Sequence, residues 1–249
     1  VNLWQMERYR LTRTGRWVPV AVAYVLFGIL GPLSVKYLRQ ILEHAGSSNI
    51  QIVVPVAKPP DGIHAFMGNA QQIGLLATVI IAAGALAFDA RPTVSTFLRT
   101  RVRSLDAIVL PRYVTNAVLS MGAFTAAAAV AWALTDALIG TLPAASMVEG
   151  MALALLYLAF AVAVVALAAA IGRSQLPTVL ITLAFLIALP ILGLVKDLGR
   201  WLPSSLIGAL DGLLTGVPLS HYLPAVALTA AAIPALLWGA VRLAAGREL

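Results

Sequence analysis

The chain has 249 residues, 61% of them hydrophobic and only 11% charged, with a formal net charge of +7 and no cysteine. Soluble domains carry about 25% charged residues, so this composition, with its mean hydropathy of +0.93, excludes an ordinary globular domain and points to a polytopic membrane protein. The absent cysteine excludes disulfides and thiol catalysis, and a positive charge gathered in a few places speaks for membrane topology and against nucleic acid as partner.

Residues 2–16 are basic, with Arg8, Arg10, Arg13 and Arg16. Leu3, Trp4 and Leu11 fall near one helical face, whereas Met6 and Tyr9 do not. This predicts an amphipathic helix lying in the membrane interface, with arginines such as Arg8 and Arg13 toward lipid phosphate and Trp4 and Leu11 toward the acyl chains. A basic flank that merely sets topology is the alternative.

The first apolar run, residues 17–35, follows this basic start as a signal peptide would. No A-x-A cleavage site comes after it, so it is read as a retained first span. Trp17 suits the headgroup level, and Gly28, Gly31 and Pro32 predict a kink. Residues 47–67 hold Pro55, Pro59, Pro60 and Gly62 and read as a water-exposed outer loop. A second span follows over 68–88.

Residues 88–113 are the one strongly charged stretch between the ends of the chain. Arg91, Arg99, Arg101, Arg103 and Arg112 are offset only by Asp89 and Asp106. Arginines cost several kcal/mol each in hydrocarbon, so this segment projects into water, and its arginine excess marks that water as cytoplasmic. Pro111 stands where a first helical residue would, opening a third span over 112–134. A short outer turn at 136–143 leads to an Ala-rich fourth span, 148–171, whose Gly150, Ala154, Ala161, Ala168 and Gly172 would permit close helix contact. A tight inner turn carrying Arg173 leads to the fifth span, 177–195. Residues 196–221 repeat leucine at 198, 202, 206, 210 and 214, which predicts helix. Pro203, Asp211 and three glycines break it into two short outer helices, with a seventh span as the competing reading. The sixth span is 222–241.

Charge selects the topology. With six spans and both termini inside, the cytoplasmic arginines are residues 8, 10, 13, 16, 91, 99, 101, 103, 112, 173, 242 and 247, twelve of the 17 basic residues. Lys36, Arg39, Lys58, Lys196 and Arg200 fall outside. A seventh span would place Arg242 and Arg247 outside, against the positive-inside rule. The expectation is an all-α protein with one domain over residues 1–249 and six transmembrane helices.

No catalytic signature interrupts this pattern. There is no GxxxxGK[ST], and all three lysines lie in outer segments, so the chain does not bind ATP by that motif. His44 and His64 would need Glu43 or Asp61 beside them to hold a metal. Ser220 and His221 lack the surroundings of a hydrolase nucleophile and read as the polar start of the last span. Ionisable residues within spans would mark an ion path. They are nearly absent here, which disfavours a proton- or sodium-coupled carrier and favours a subunit driven by a soluble engine.

Within the arginine segment, Thr93 or Ser95 would cap a helix running through Leu98 to Arg103. On it Phe97 and Arg101, four apart, share a face suited to a partly apolar, acidic groove. The alternative is that these arginines only fix topology and bind anionic lipid. The same segment resembles that of ABC-2 type transporter permeases after their second span. The similarity runs through Asp89, Thr93, Phe97 and Leu98, then Val102, Arg103 and Ser104, then Arg112. The chain departs from that family in Pro92 for a glycine, Arg101 for a proline and aspartate for the usual glutamate. The layout also fits: basic amphipathic start, six spans, helical outer segment before the last.

The resemblance implies the membrane half of an ABC exporter in a bacterial cytoplasmic membrane, an origin that the Ala, Leu and Val richness typical of high-GC bacteria also suggests. It implies a coupling helix formed by Asp89, Thr93, Phe97, Leu98, Arg99, Arg101, Val102, Arg103 and Ser104. It further implies a separate ATP-binding subunit carrying ATP and magnesium, a second permease (a copy or a different chain), and no cofactor or catalysis on this chain. The cargo expected is hydrophobic or amphipathic: a drug, an antibiotic or a lipid-like molecule. A secondary carrier or structural membrane subunit is the main rival, and an intramembrane enzyme the more distant one.

Overall fold

The computed structural model describes residues 3–45, 57–87, 105–195 and 198–246. Their regular structure is helical throughout: α1 (Leu3–Arg13), α2 (Trp17–Ala45), α3 (Pro59–Asn69), α4 (Leu75–Leu86), α5 (Asp106–Leu138), α6 (Ala144–Gly172), α7 (Gln175–Leu192), α8 (Ala209–Leu214) and α9 (Leu223–Ala245). A π-helical stretch, Ala70–Gly74, joins α3 to α4, and 3-10 turns at Pro203–Leu206 and Leu219–Tyr222 flank α8. Among the described residues six stretches are long and apolar enough to cross a membrane: Trp17–Leu38, Pro59–Leu86, Asp106–Leu138, Ala144–Gly172, Gln175–Leu192 and Leu219–Ala245. This is the architecture of an integral membrane protein, and residues 198–218 contain only short helical pieces, not a further span.

The helices overrun the apolar runs that reveal them. Residues 59–67, expected as loop, form most of α3, with Ile63, Phe66 and Met67 buried. Pro59 and Pro60 start this helix, where a missing N–H costs nothing, and the Asp61 carboxylate accepts the backbone N–H of Lys58 at 2.8 Å. Pro111 does not open α5. The helix begins at Asp106, so the proline sits in its second turn and forfeits one backbone hydrogen bond. Helix α2 runs through Gly28, Gly31 and Pro32, from Trp17 to Ala45. The two glycines serve packing. A Cβ on Gly28 would lie 2.6 Å from the Ala127 carbonyl oxygen of α5, and one on Gly31 would lie 2.7 Å from the Phe66 backbone nitrogen of α3.

The centre of the bundle is α6. Of its most apolar window 72% is buried, against 17–28% for α2, α7 and α9. A helix apolar on every side needs protein or lipid on every side, and the alanines of α6 let neighbours come close. Ala154, Ala161 and Ala168 are buried, and a Cβ on Gly150 would meet Leu210 of α8 at 2.6 Å. The outward faces of α2, α7 and α9 carry Val22, Leu180, Ile187, Ile191 and Trp238, a surface suited to lipid.

Contacts sort the chain into two ends. At one lie α1, the C-terminal ends of α4 and α6 and the N-terminal ends of α5 and α7. The last turns of α9 lie there too, because Ala240 and Ala244 line one cleft with Leu86, Val109 and Ala166. At the other lie the start of α3, the end of α5 and α8. There Lys36 donates to the carbonyl of Leu138, the last residue of α5, at 2.8 Å, a cation at a helix C-terminus.

Candidate functional site

The first end is built by arginines that complete a helix terminus. The last carbonyls of a helix have no partner within it, and at the end of α4 two of these, Gly84 and Ala85, meet guanidinium groups from elsewhere. Arg10 and Arg16 donate to the Gly84 carbonyl at 3.4 and 3.5 Å. Arg112, in the second turn of α5, donates to the Ala85 carbonyl at 3.2 Å. Its Nε donates to the Glu7 carboxylate of α1 at 2.9 Å, and Arg10 reaches the same carboxylate at 3.4 Å. Glu7 is 6% exposed and Arg112 4%. They are the only buried charged side chains among the described residues, and each meets the other, as a buried charge must.

This arrangement determines how α1 lies. Leu3, Glu7, Arg10 and Leu11, spaced by one helical turn, are its least exposed positions, so the face toward the bundle centres on a carboxylate. Leu11 belongs to that face, whereas Trp4 is 43% exposed, and Arg8 and Arg13 are exposed too. An ion pair, and not an apolar stripe, fastens α1 to α5. The hydrophobic pattern carried no sign of this. The only local signal was a lone acid in an otherwise basic helix, and its partner lies 105 residues away.

The residues expected to couple to a partner, Asp89, Thr93, Phe97, Leu98, Arg99, Arg101, Val102, Arg103 and Ser104, lie outside the described residues. The flanks of that segment do not. On one side α4 ends on carbonyls held by Arg10, Arg16 and Arg112, and on the other α5 begins with Arg112 itself in its second turn. Arg173 and Arg242 belong to this end as well. The turn at Arg173 is left-handed, with φ 59°, and the chain doubles back so tightly that a Cβ on Gly172 would lie 2.9 Å from the Thr178 nitrogen. The Arg242 guanidinium stacks 5.1 Å from the Trp238 ring centroid.

The second end is pinned differently. His64 of α3 and Asp211 of α8 approach to 2.9 Å on the surface, so His64 meets Asp211 and not Asp61. Among the described residues no three potential ligands gather as a metal site would need. Gln71, within the π-helical stretch, donates to the Ile207 carbonyl at 3.1 Å. Beneath runs a narrow cleft lined by Tyr24, Met67, Gln71, Phe124, Tyr157 and Ile207. The Tyr24 ring occupies the space that a side chain at Gly74 would fill. Its hydroxyl pairs with Thr78 at 3.3 Å, and it packs edge-on against Phe124 at 5.8 Å between ring centroids. Ser220 and His221 fall in an exposed 3-10 turn, where His221 packs against Tyr222.

Compared with known proteins, the chain matches no family model, no curated protein and no solved structure.

Proposed function

We propose that this chain is the membrane subunit of an ABC-2-type exporter in a bacterial cytoplasmic membrane, with both termini cytoplasmic and α1 resting at the inner interface. Segment 88–104 is then the coupling helix, docked on a separate ATP-binding subunit that carries ATP and magnesium. A second permease, identical or not, completes the pathway, and the cargo is hydrophobic or amphipathic. The observation that carries this reading is the fixing of both flanks of segment 88–104 at the arginine-rich end of the bundle. A force applied to a segment held at both flanks passes directly into α4 and α5. The interior adds support against a secondary carrier. Its buried charges, Glu7 and Arg112, neutralise one another at one end. Among the described residues no other buried acid or base is present to serve as a proton or sodium relay.

Replacing Arg99, Arg101 and Arg103 with glutamine tests it. Each charge-assisted hydrogen bond lost from a desolvated interface costs about 1.5–3 kcal/mol, together about a thousandfold or more in affinity. Nine of the twelve arginines assigned to the cytoplasm remain, so membrane insertion is retained. The variant is expected to reach the membrane, to lose the ATP-hydrolysing subunit in detergent pull-down and to lose the accompanying ATP hydrolysis. Phe97→Ala, which spares every charge, is expected to weaken the same association. Unchanged pull-down and hydrolysis in both variants would leave the arginines as topology and lipid determinants and remove the coupling role.

A further inference from the structure

The N-terminal helix is held in a way that neither topology nor lipid binding requires. A basic interfacial helix needs only arginines toward phosphate and apolar groups toward acyl chains. Here α1 instead turns a carboxylate inward, and Glu7 and Arg112 meet at 2.9 Å, both buried. Arg112 has a second contact, the Ala85 carbonyl at 3.2 Å, and Arg10 bridges Glu7 to the Gly84 carbonyl. Three elements, α1, the end of α4 and the start of α5, are thus tied at one point, and in the sequence segment 88–104 joins the second of them to the third.

We infer that Glu7 and Arg112, with Arg10, form a positioning lock through which α1 makes the two flanks of segment 88–104 move as one body. This rests on the reading of that segment as the coupling helix. A segment joined to two independently mobile helices would dissipate a push by splaying them. Tied through Arg112 to α1, the same push displaces α4 and α5 together and is relayed to the far end of the bundle, where α8 packs on α6. Glu7 and Arg112 are buried between helices and face one another, so they act through the elements they join. A purely structural pair would affect stability alone. A lock would affect transmission even in protein that is folded and bound to its partner.

The chain has no cysteine, so a Thr215→Cys substitution, exposed just after α8, reports on the far end without background. The full chain carrying this reporter is isolated from its native membrane with its ATP-hydrolysing partner and reconstituted. The rate at which a maleimide labels the introduced thiol is then compared with and without ATP and vanadate. The unsubstituted lock is expected to show a nucleotide-dependent change in rate. Glu7→Gln and Arg112→Lys are expected to keep the partner and its nucleotide trapping while that change falls by about fivefold or more. The loss in Arg112→Lys should be the smaller of the two, because it keeps the charge that faces Glu7. Arg10→Gln, at a partly exposed site, keeps the question open to refutation should the buried variants fail to fold, and is expected to show a partial loss. A full nucleotide-dependent change in every variant that folds would overturn the lock. Failure of the unsubstituted chain to capture an ATP-hydrolysing subunit would instead overturn the permease reading beneath it.

Discussion

Glu7 and Arg112 show how a single pair can fix an element that composition leaves loose. Removing one member of a buried ion pair strands the other and costs about 3–5 kcal/mol, whereas replacing both with apolar groups is often neutral or better. Glu7→Ala is therefore expected to lower the detergent unfolding temperature markedly. Glu7→Gln should lower it less, because the amide oxygen still accepts from Arg112 Nε. The double replacement Glu7→Leu with Arg112→Met is expected to be more stable than either single truncation, though short of wild type because the Ala85 carbonyl loses its donor. Purely additive losses in the double variant would mean that the two side chains do not depend on each other, and would contradict the 2.9 Å contact. His64 and Asp211 make the contrast. That pair is equally short, but the His64 side chain is 73% exposed. An exposed pair contributes under about 1 kcal/mol, so Asp211→Asn is expected to leave the unfolding temperature nearly unchanged.

Among the helices, close approach is what glycine and alanine make possible. Gly28 and Gly122 offer a matched comparison. Both lie inside membrane-length helices, but a Cβ at 28 meets the Ala127 backbone at 2.6 Å while one at 122 meets nothing within 4 Å. Gly28→Ala is expected to push α2 from α5 and cost about 1–3 kcal/mol, as overpacking does. Gly122→Ala should be neutral or stabilising by up to about 1 kcal/mol, through helix propensity alone. Equal effects at the two sites, read from unfolding temperatures, would show that α2 and α5 are not in contact at Gly28. The same helices show what was legible in the sequence. All six membrane-length helices could be read from apolar runs, because hydrocarbon demands about 20 apolar residues in succession. Their ends could not. Residues 59–67 and 106–111 contain prolines and charges that interrupt hydropathy without ending the helix, so α3 and α5 extend past the apolar boundary. The π-helical stretch at Ala70–Gly74 left no compositional mark, although the Tyr24 ring packs where a side chain at Gly74 would lie. Of the candidate site, the arginines were visible as charge. Their common anchor at the α4 carbonyls was not, because no local period links Glu7 to Arg112.

At the scale of the whole molecule, the bundle converts a sequence-level charge bias into a spatial one. Among the described residues Arg8, Arg10, Arg13, Arg16, Arg112, Arg173 and Arg242 gather at one end, while Lys36, Lys58 and Arg200 stand at the other. An even number of spans returns α9 to the end where α1 begins, and the shared cleft of Ala240, Ala244 and Leu86 agrees with that. If the arginine-rich end faces the cytoplasm, as the positive-inside rule requires, sidedness follows for every connection. Single cysteines can be introduced without removing any native one. Thr12→Cys on the exposed side of α1 and Gly246→Cys after α9 are expected to react with a membrane-impermeant maleimide only in inverted vesicles. Thr215→Cys after α8 is expected to react only in intact cells. Ser104→Cys should follow the first pair, since a coupling segment must face the compartment that holds the ATP. Reaction at positions 12 and 246 from opposite sides would require an odd number of crossings and would sink the six-span topology. Reaction of all four sites on the sides opposite to these would preserve the bundle but place the arginine-rich end outside. Segment 88–104 would then be beyond the reach of any cytoplasmic ATPase.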